Sequence, residues 1–298
     1  MRKRISILAI CLVAGACASP APSGSMPTPR AGSPSPAQSS GPSSTPKYAV
    51  EIGPDKLILR IADEGGFVPA GYQLTRLPEF ALYGDGSVIV AGPLDATYPR
   101  LLLPDLRLLH VSPAEIQSIL AAADEAGLLG PDASYDVGGV ADAGTSVFTT
   151  TVAGVTHVVS AYALGLSEDL GTPQDVAAAR SKLEAFQKQM LDLSTFLGRP
   201  VDGAEAYQPT VMRVFTTPAQ TPNSAGPSAR FVAWPIGIDP ASGMKTAIEG
   251  VLCIAVTGAD LTAFTAAARN ADVVTVWTAP SGRYTISVRP LYPDESGC

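Results

Sequence analysis

Only two histidines, His110 and His157, and four cysteines, Cys11, Cys17, Cys253 and Cys298, occur in 298 residues. The chain has no H-E-x-x-H helix, no Cys/His cluster and no C-x-x-C pair, which removes the common zinc sites and dithiol redox chemistry. A G-x-S-x-G elbow and a P-loop are also missing. An S-x-x-K match, Ser44-Thr45-Pro46-Lys47, falls in a low-complexity segment and is attributed to chance. Beyond the first residues no run approaches ~20 apolar positions, so nothing later in the chain reads as a membrane-spanning helix. Acidic residues are absent until Glu51.

The N-terminus carries an address. Arg2, Lys3 and Arg4 precede an apolar run over residues 5–13, too short for a spanning helix and suited to a removed signal. Ala14-Gly15-Ala16-Cys17 fits an A-x-A cleavage site and also a lipobox, with Ala14 where lipoboxes usually carry Leu. Both readings cut before Cys17. If Cys17 is acylated, with palmitate among its chains, Cys253 and Cys298 remain as an even pair, for which an oxidising compartment predicts a disulfide. If it is not, the exported chain begins with an odd thiol and the protein is secreted. The parity favours a lipid on Cys17. The competing reading of the pair is a buried free thiol at Cys253 and an unpaired tail at Cys298.

Residues 17–47 are dominated by Pro, Ser, Gly and Ala and bury too little apolar surface to order themselves, so they read as a tether or an O-glycosylated stalk. As a coil this segment would reach roughly 30 Å, and up to ~90 Å in polyproline II. From Cys17 onward, 27 acids face 17 bases, a net charge of −10 that argues against nucleic acid and against charge-driven adsorption on an anionic membrane.

The remainder reads as α+β, with antiparallel hairpins and helices packed on one face of each sheet. KLILRIA (56–62) alternates Leu57, Leu59 and Ile61 as a strand. FALYGDGSVIV (80–90) is a hairpin around Gly84-Asp85-Gly86. Ser112, Pro113 and Glu115 open a helix with a capping box, and its apolar face (Ile116, Ile119, Leu120, Ala123, Leu128) runs to a stop at Gly130-Pro131. Two strands meet around Ala153-Gly154. A longer helix, capped from Thr172-Pro173, presents Val176, Leu183, Phe186, Met190, Leu193 and Leu197 and stops at Gly198. Further on, RFVAW, VLCIAV, a short helix and the hairpin VVTVWTAPSGRYTISV follow, with Trp234 and Trp277 read as core. Helix-then-hairpin occurs twice, which suggests two similar modules. The expected organisation is a signal over 1–16, a tether over 17–47, and α+β modules over 48–205 and 206–298.

GGFVP (65–69), the 80–90 hairpin, THVVSAYALG (156–165) and RPLYPDESGC (289–298) resemble a group of actinobacterial lipoproteins of unknown function. The resemblance runs from about Leu57 to Cys298. It implies a signal, a tether and an exported α+β body, and transfers no catalytic residue.

Candidate chemistry concentrates in 132–146, read as a loop. Asp132, Asp136 and Asp142 lie among glycines and are candidates for a hard cation, against the alternative of solvated loop acids. Tyr135, Tyr162 and His157 are candidates for ligand contact, with His157 on a strand beside Val155 and Val159 and otherwise an ordinary strand residue. No cofactor and no catalytic residue is expected. The functional expectation is a lipid-anchored, extracytoplasmic binding or structural module of the cell envelope, partnered by the membrane through Cys17 and by an envelope protein or small ligand. The alternative is an exported hydrolase cutting cell-wall glycans through an Asp/Glu pair.

Overall fold

The computed structural model describes residues 46–93, 97–166, 171–201, 205–220 and 230–298. Cys17, the signal and all of the tether but Pro46 and Lys47 lie outside the described residues. Among the described residues, five helices and fourteen strands follow in order: β1 (Leu57–Gly65), α1 (Ala70–Thr75), β2 (Phe80–Tyr83), β3 (Ser87–Ala91), β4 (Leu106–His110), α2 (Pro113–Glu125), β5 (Ala133–Tyr135), β6 (Gly144–Val152), β7 (Val155–Tyr162), α3 (Gln174–Leu191), α4 (Leu193–Leu197) and β8 (Glu205–Ala206). The C-terminal part adds β9 (Val211–Pro218), β10 (Phe231–Ala233), β11 (Met244–Lys245), β12 (Leu252–Thr257), α5 (Gly258–Ala268), β13 (Val276–Ala279) and β14 (Gly282–Pro290). Among the described residues no helix is long and apolar enough to cross a membrane.

The strands form an eight-stranded sheet ordered β5-β7-β6-β1-β2-β3-β4-β8 and a six-stranded sheet ordered β10-β13-β14-β9-β12-β11. Both are mixed, antiparallel throughout except for one parallel edge pair each, β5 with β7 and β10 with β13. The change of sheet falls between β8 and β9. The two halves share an order of elements but not a topology. In the first sheet the leading hairpin strand, β6, lies beside β1; in the second the trailing strand, β14, lies beside β9.

Local chemistry explains most boundaries. Ser112 caps α2 with both arms of the capping box, a device worth ~1 kcal/mol. The helix stops earlier than Gly130-Pro131. Gly127 takes φ +85°, Leu128 N–H donates to Ala123 and Gly127 N–H to Asp124, which is a Schellman ending. The helix expected through Leu197 breaks at Asp192, which caps α4, and Gly198 ends it at φ +66°. Thr172 does not cap α3: the cap position is Pro173, and no side chain bonds the first turn. In the 80–90 hairpin Asp85 accepts from the Ser87 amide, Gly86 has φ +87°, and a Cβ there would stand 2.3 Å from the Val111 carbonyl. Glycine is therefore required twice over, by dihedral and by approach.

Helices cover one face of each sheet. On the larger, Leu59, Ile61, Phe80, Leu82, Phe148 and Val159 meet Ile116, Ile119 and Leu120 of α2 and Leu183, Phe186 and Met190 of α3. Leu57 does not join Leu59 and Ile61 as simple alternation predicts, because a bulge between Leu57 and Leu59 turns it to the opposite face. On the smaller sheet, Met212, Val214, Ile254, Val256, Ile286 and Val288 pack on Leu261 and Phe264 of α5. Trp234 and Trp277 complete that core edge to face, with ring centroids 6.0 Å apart.

Candidate binding cavity

Alternation along the strands leaves a second face on each sheet that α2, α3 and α5 do not cover. On β1 it carries Arg60, Ala62 and Glu64. On the smaller sheet it carries Arg213 and Phe215 of β9, Cys253 of β12 and Arg289 of β14, with Arg213 paired to Arg289 and Phe215 to Cys253 in register. These two faces, joined by α1 and the segment after it, line an open cavity of about 690 Å³. That volume lies within the range of small-molecule sites.

The last eight residues strap the cavity to both sheets. Cys298 is disulfide-bonded to Cys253 across a Cα–Cα distance of 5.9 Å, as the cysteine parity predicted. Arg60 Nη2 donates to both oxygens of Asp294, at 2.7 and 2.9 Å, and Tyr83 Oη donates to the same carboxylate at 2.7 Å. Burial works against the charge on Arg60, and Asp294, Tyr83 and Glu295 together more than offset it. Arg289 grips Glu295 as a fork at 2.7 and 2.8 Å, while its Nε donates to the Arg76 carbonyl at 2.9 Å. Burial alone would raise the Glu295 carboxyl, but that fork and the Tyr292 amide hold it below the usual range. Tyr292 is buried beneath the larger sheet, its hydroxyl on the Pro78 carbonyl. Burial pushes the phenols of Tyr83 and Tyr292 well up, and that of Tyr207 to about 12.

Two arginines of the cavity wall hydrogen-bond no carboxylate among the described residues. Arg213 donates only to the main-chain carbonyls of Gly297 and Ser296, at 2.7 and 3.1 Å, and burial followed by the neighbouring Arg289 lowers its pKa. Arg76 lies over the Tyr72 ring, and its Nη1 is buried with no acceptor among the described residues. Of the carboxylates, Glu64 is exposed at the margin. Asp63 falls on the helix side with Leu59 and Ile61, where Ser146 Oγ donates to it at 2.9 Å.

The residues singled out in 132–146 serve the fold. The segment is not a plain loop: it contains β5 and opens β6. Asp132 accepts from the Val158 amide at 2.8 Å, joining β5 to β7. Asp136 and Asp142 do not gather with it; among the described residues no group of three or more His, Cys, Asp or Glu is placed to hold a metal ion. Tyr162 Oη donates to the Val140 carbonyl and accepts from the Ala143 amide, fastening the turn before β6. The carbonyls of Tyr135 and Tyr162, with that of Ala163, receive the guanidinium of Arg180, which is 1% exposed. Arg180 went unnoticed in the sequence because an arginine in a helix ordinarily faces water. His157 stands opposite Thr150 near the end of the sheet, on the helix side.

No protein-family model, no curated protein and no solved structure matches the chain.

Proposed function

We propose that the chain is an exported, lipid-anchored module that binds a small ligand outside the membrane, in the cavity between its two sheets. One observation carries the binding assignment. A cavity of about 690 Å³ is walled by residues from both sheets, and its arginine–carboxylate pairs tie the C-terminal strap to it. The address rests on the basic and apolar signal, the small residues before Cys17, and the Pro/Ser tether behind it. The Cys253–Cys298 bond is in keeping with an oxidising compartment.

A hydrolase with an Asp/Glu pair finds poor footing here. Arg289 and the Tyr292 amide outweigh burial and hold the Glu295 carboxyl below the usual range, the direction opposite to that of a general acid. The carboxyls of Glu79 and Asp63 stand side by side, with Gln187 of α3 donating to Glu79, rather than across a cleft that could admit a sugar.

The test has two readouts on the full chain. Intact mass of the protein recovered from membranes should show a diacylglyceryl adduct at Cys17, and Cys17→Ser should move the protein to the medium. Gentle purification followed by extraction and mass spectrometry should release a small molecule whose yield falls with Phe215→Trp, which crowds the apolar wall of the cavity. A soluble wild-type chain with an unmodified Cys17 would refute the anchor; identical extracts from wild type and the crowded variant would refute the cavity.

A further inference from the structure

We propose that the ligand of this cavity is a small amphipathic anion. Its oxyanion head, a phosphate or carboxylate, lies between Arg76 and Arg213, and its apolar part lies against Phe215, Leu74 and Leu77. The inference rests on the cavity being the binding site and adds the chemical class of what binds.

Charge placement carries the argument. Four guanidinium groups line the cavity, Arg60, Arg76, Arg213 and Arg289, in a chain whose exported part is strongly acidic. The strap supplies a carboxylate for two of them, Asp294 for Arg60 and Glu295 for Arg289. Among the described residues no carboxylate hydrogen-bonds the other two, and on Arg213 the pull of Glu295 is outweighed by burial and Arg289. Arg213 lies directly beside Arg289 in the β9–β14 register, so two like charges are neighbours on a half-buried face. Arg76 is tied to the same place, since its carbonyl receives Arg289 Nε. Its Nη1 is buried with no acceptor among the described residues, which costs stability, and Arg76 itself lines the cavity. The other charged groups of the lining do not compensate. Glu64 and Lys245 are exposed at the margin, and Asp63 belongs to the helix side.

An oxyanion entering here would accept from two guanidinium groups at once, in the fork geometry arginine offers to phosphate and carboxylate. The remaining wall dictates the rest of the ligand. Phe215 is 4% exposed yet belongs to neither helix-packed core, and with Leu74, Leu77 and Met244 it makes one side of the cavity apolar. A bare inorganic ion would leave that side in water, whereas an anion with a short hydrocarbon part covers it.

Calorimetric titration of the purified full chain tests this with three probes: hexyl phosphate, inorganic phosphate and hexanol. Hexyl phosphate should bind saturably at one site, inorganic phosphate at least about tenfold more weakly, and hexanol more weakly still. Arg76→Met with Arg213→Met should weaken hexyl phosphate by about tenfold or more, with Arg213→Lys in between. Independently of any variant, wild-type affinity should fall several-fold as sodium chloride rises from about 50 to 500 mM. Hexanol binding as tightly as hexyl phosphate, with loss on Phe215→Ala, would overturn the anion assignment and leave the cavity as a binding site. Anion binding that ignores both arginines, or no saturable binding of any probe, would overturn the assignment and the cavity together.

Discussion

Removing the bond between Cys253 and Cys298, by Cys253→Ser with Cys298→Ser, should destabilise the protein chiefly through its unfolded state. The cysteines are separated by 45 positions, and the entropy of closing such a loop amounts to about 4 kcal/mol at 25 °C. In the native state the strap keeps its other anchors. Asp294 stays on Arg60 and Tyr83, Glu295 on Arg289, and Tyr292 in its buried place under the larger sheet. Urea unfolding should therefore show a midpoint well below that of the wild type, a loss of roughly 3–4 kcal/mol, and a steeper denaturant dependence because the freed chain exposes more surface. For a body of this size that corresponds to about 10 °C in melting temperature. Hydrogen exchange separates the two states: the Glu295 amide, bonded to the Tyr292 carbonyl, should remain protected in the variant. A loss under about 1 kcal/mol would refute the unfolded-state account. Deprotection of that amide would refute the claim that ion pairs and Tyr292 suffice to hold the strap.

Other outcomes follow from single contacts. Arg180→Met leaves three main-chain carbonyls without their donor and should cost about 3–5 kcal/mol by urea unfolding; a cost below about 1 kcal/mol would mean that the caged guanidinium is replaceable. Gly86→Ala combines a φ of +87° with a Cβ 2.3 Å from a carbonyl oxygen and should cost at least about 2 kcal/mol, so a wild-type melting temperature would count against the close approach to Val111. Glu115 is held down to about 2, first by Arg199 and then by the Ser112 amide, so its stabilisation is present above the ordinary carboxylate range and is lost as pH falls through about 2. Glu115→Gln should flatten the acid limb of stability against pH, and an unchanged limb would contradict the pairing. Glu79 runs the other way. Burial, with Asp63 adding to it, raises its pKa above the unfolded value, so stability declines as pH rises from the ordinary carboxylate range through the folded value. Glu79→Gln should remove that decline and stabilise the protein at neutral pH; destabilisation there would refute the reading.

Much of the fold was legible because it is written within a few residues. The Asp-Gly turn of the 80–90 hairpin, the Ser112 capping box and the αL glycine at 198 are contacts between positions at most four apart, and each formed where its residues predict. Misreadings arose where a local signal had a competitor. Gly127 ended α2 before Gly130-Pro131 because an αL residue suffices once its two backbone bonds can form. The bulge in β1 turned Leu57 away from Leu59, which period-two patterning cannot foresee. The carboxylates of 132–146 looked like ligands because sequence displays side chains without their partners. In the folded chain Asp132 serves the Val158 amide, and Tyr162 its neighbouring turn.

By itself the sequence determined the class of elements, their order, and which cysteines were left to pair, since periodicity, caps and parity are properties of neighbours and counts. The cavity belongs to tertiary structure alone. Arg60 meets Asp294 across 234 positions, and Arg289 meets the Arg76 carbonyl across 213. Whether an arginine finds a carboxylate or is left without one depends on which faces the two sheets turn toward each other. That choice comes from covering their opposite faces with α2, α3 and α5, an outcome of apolar burial summed over the whole body.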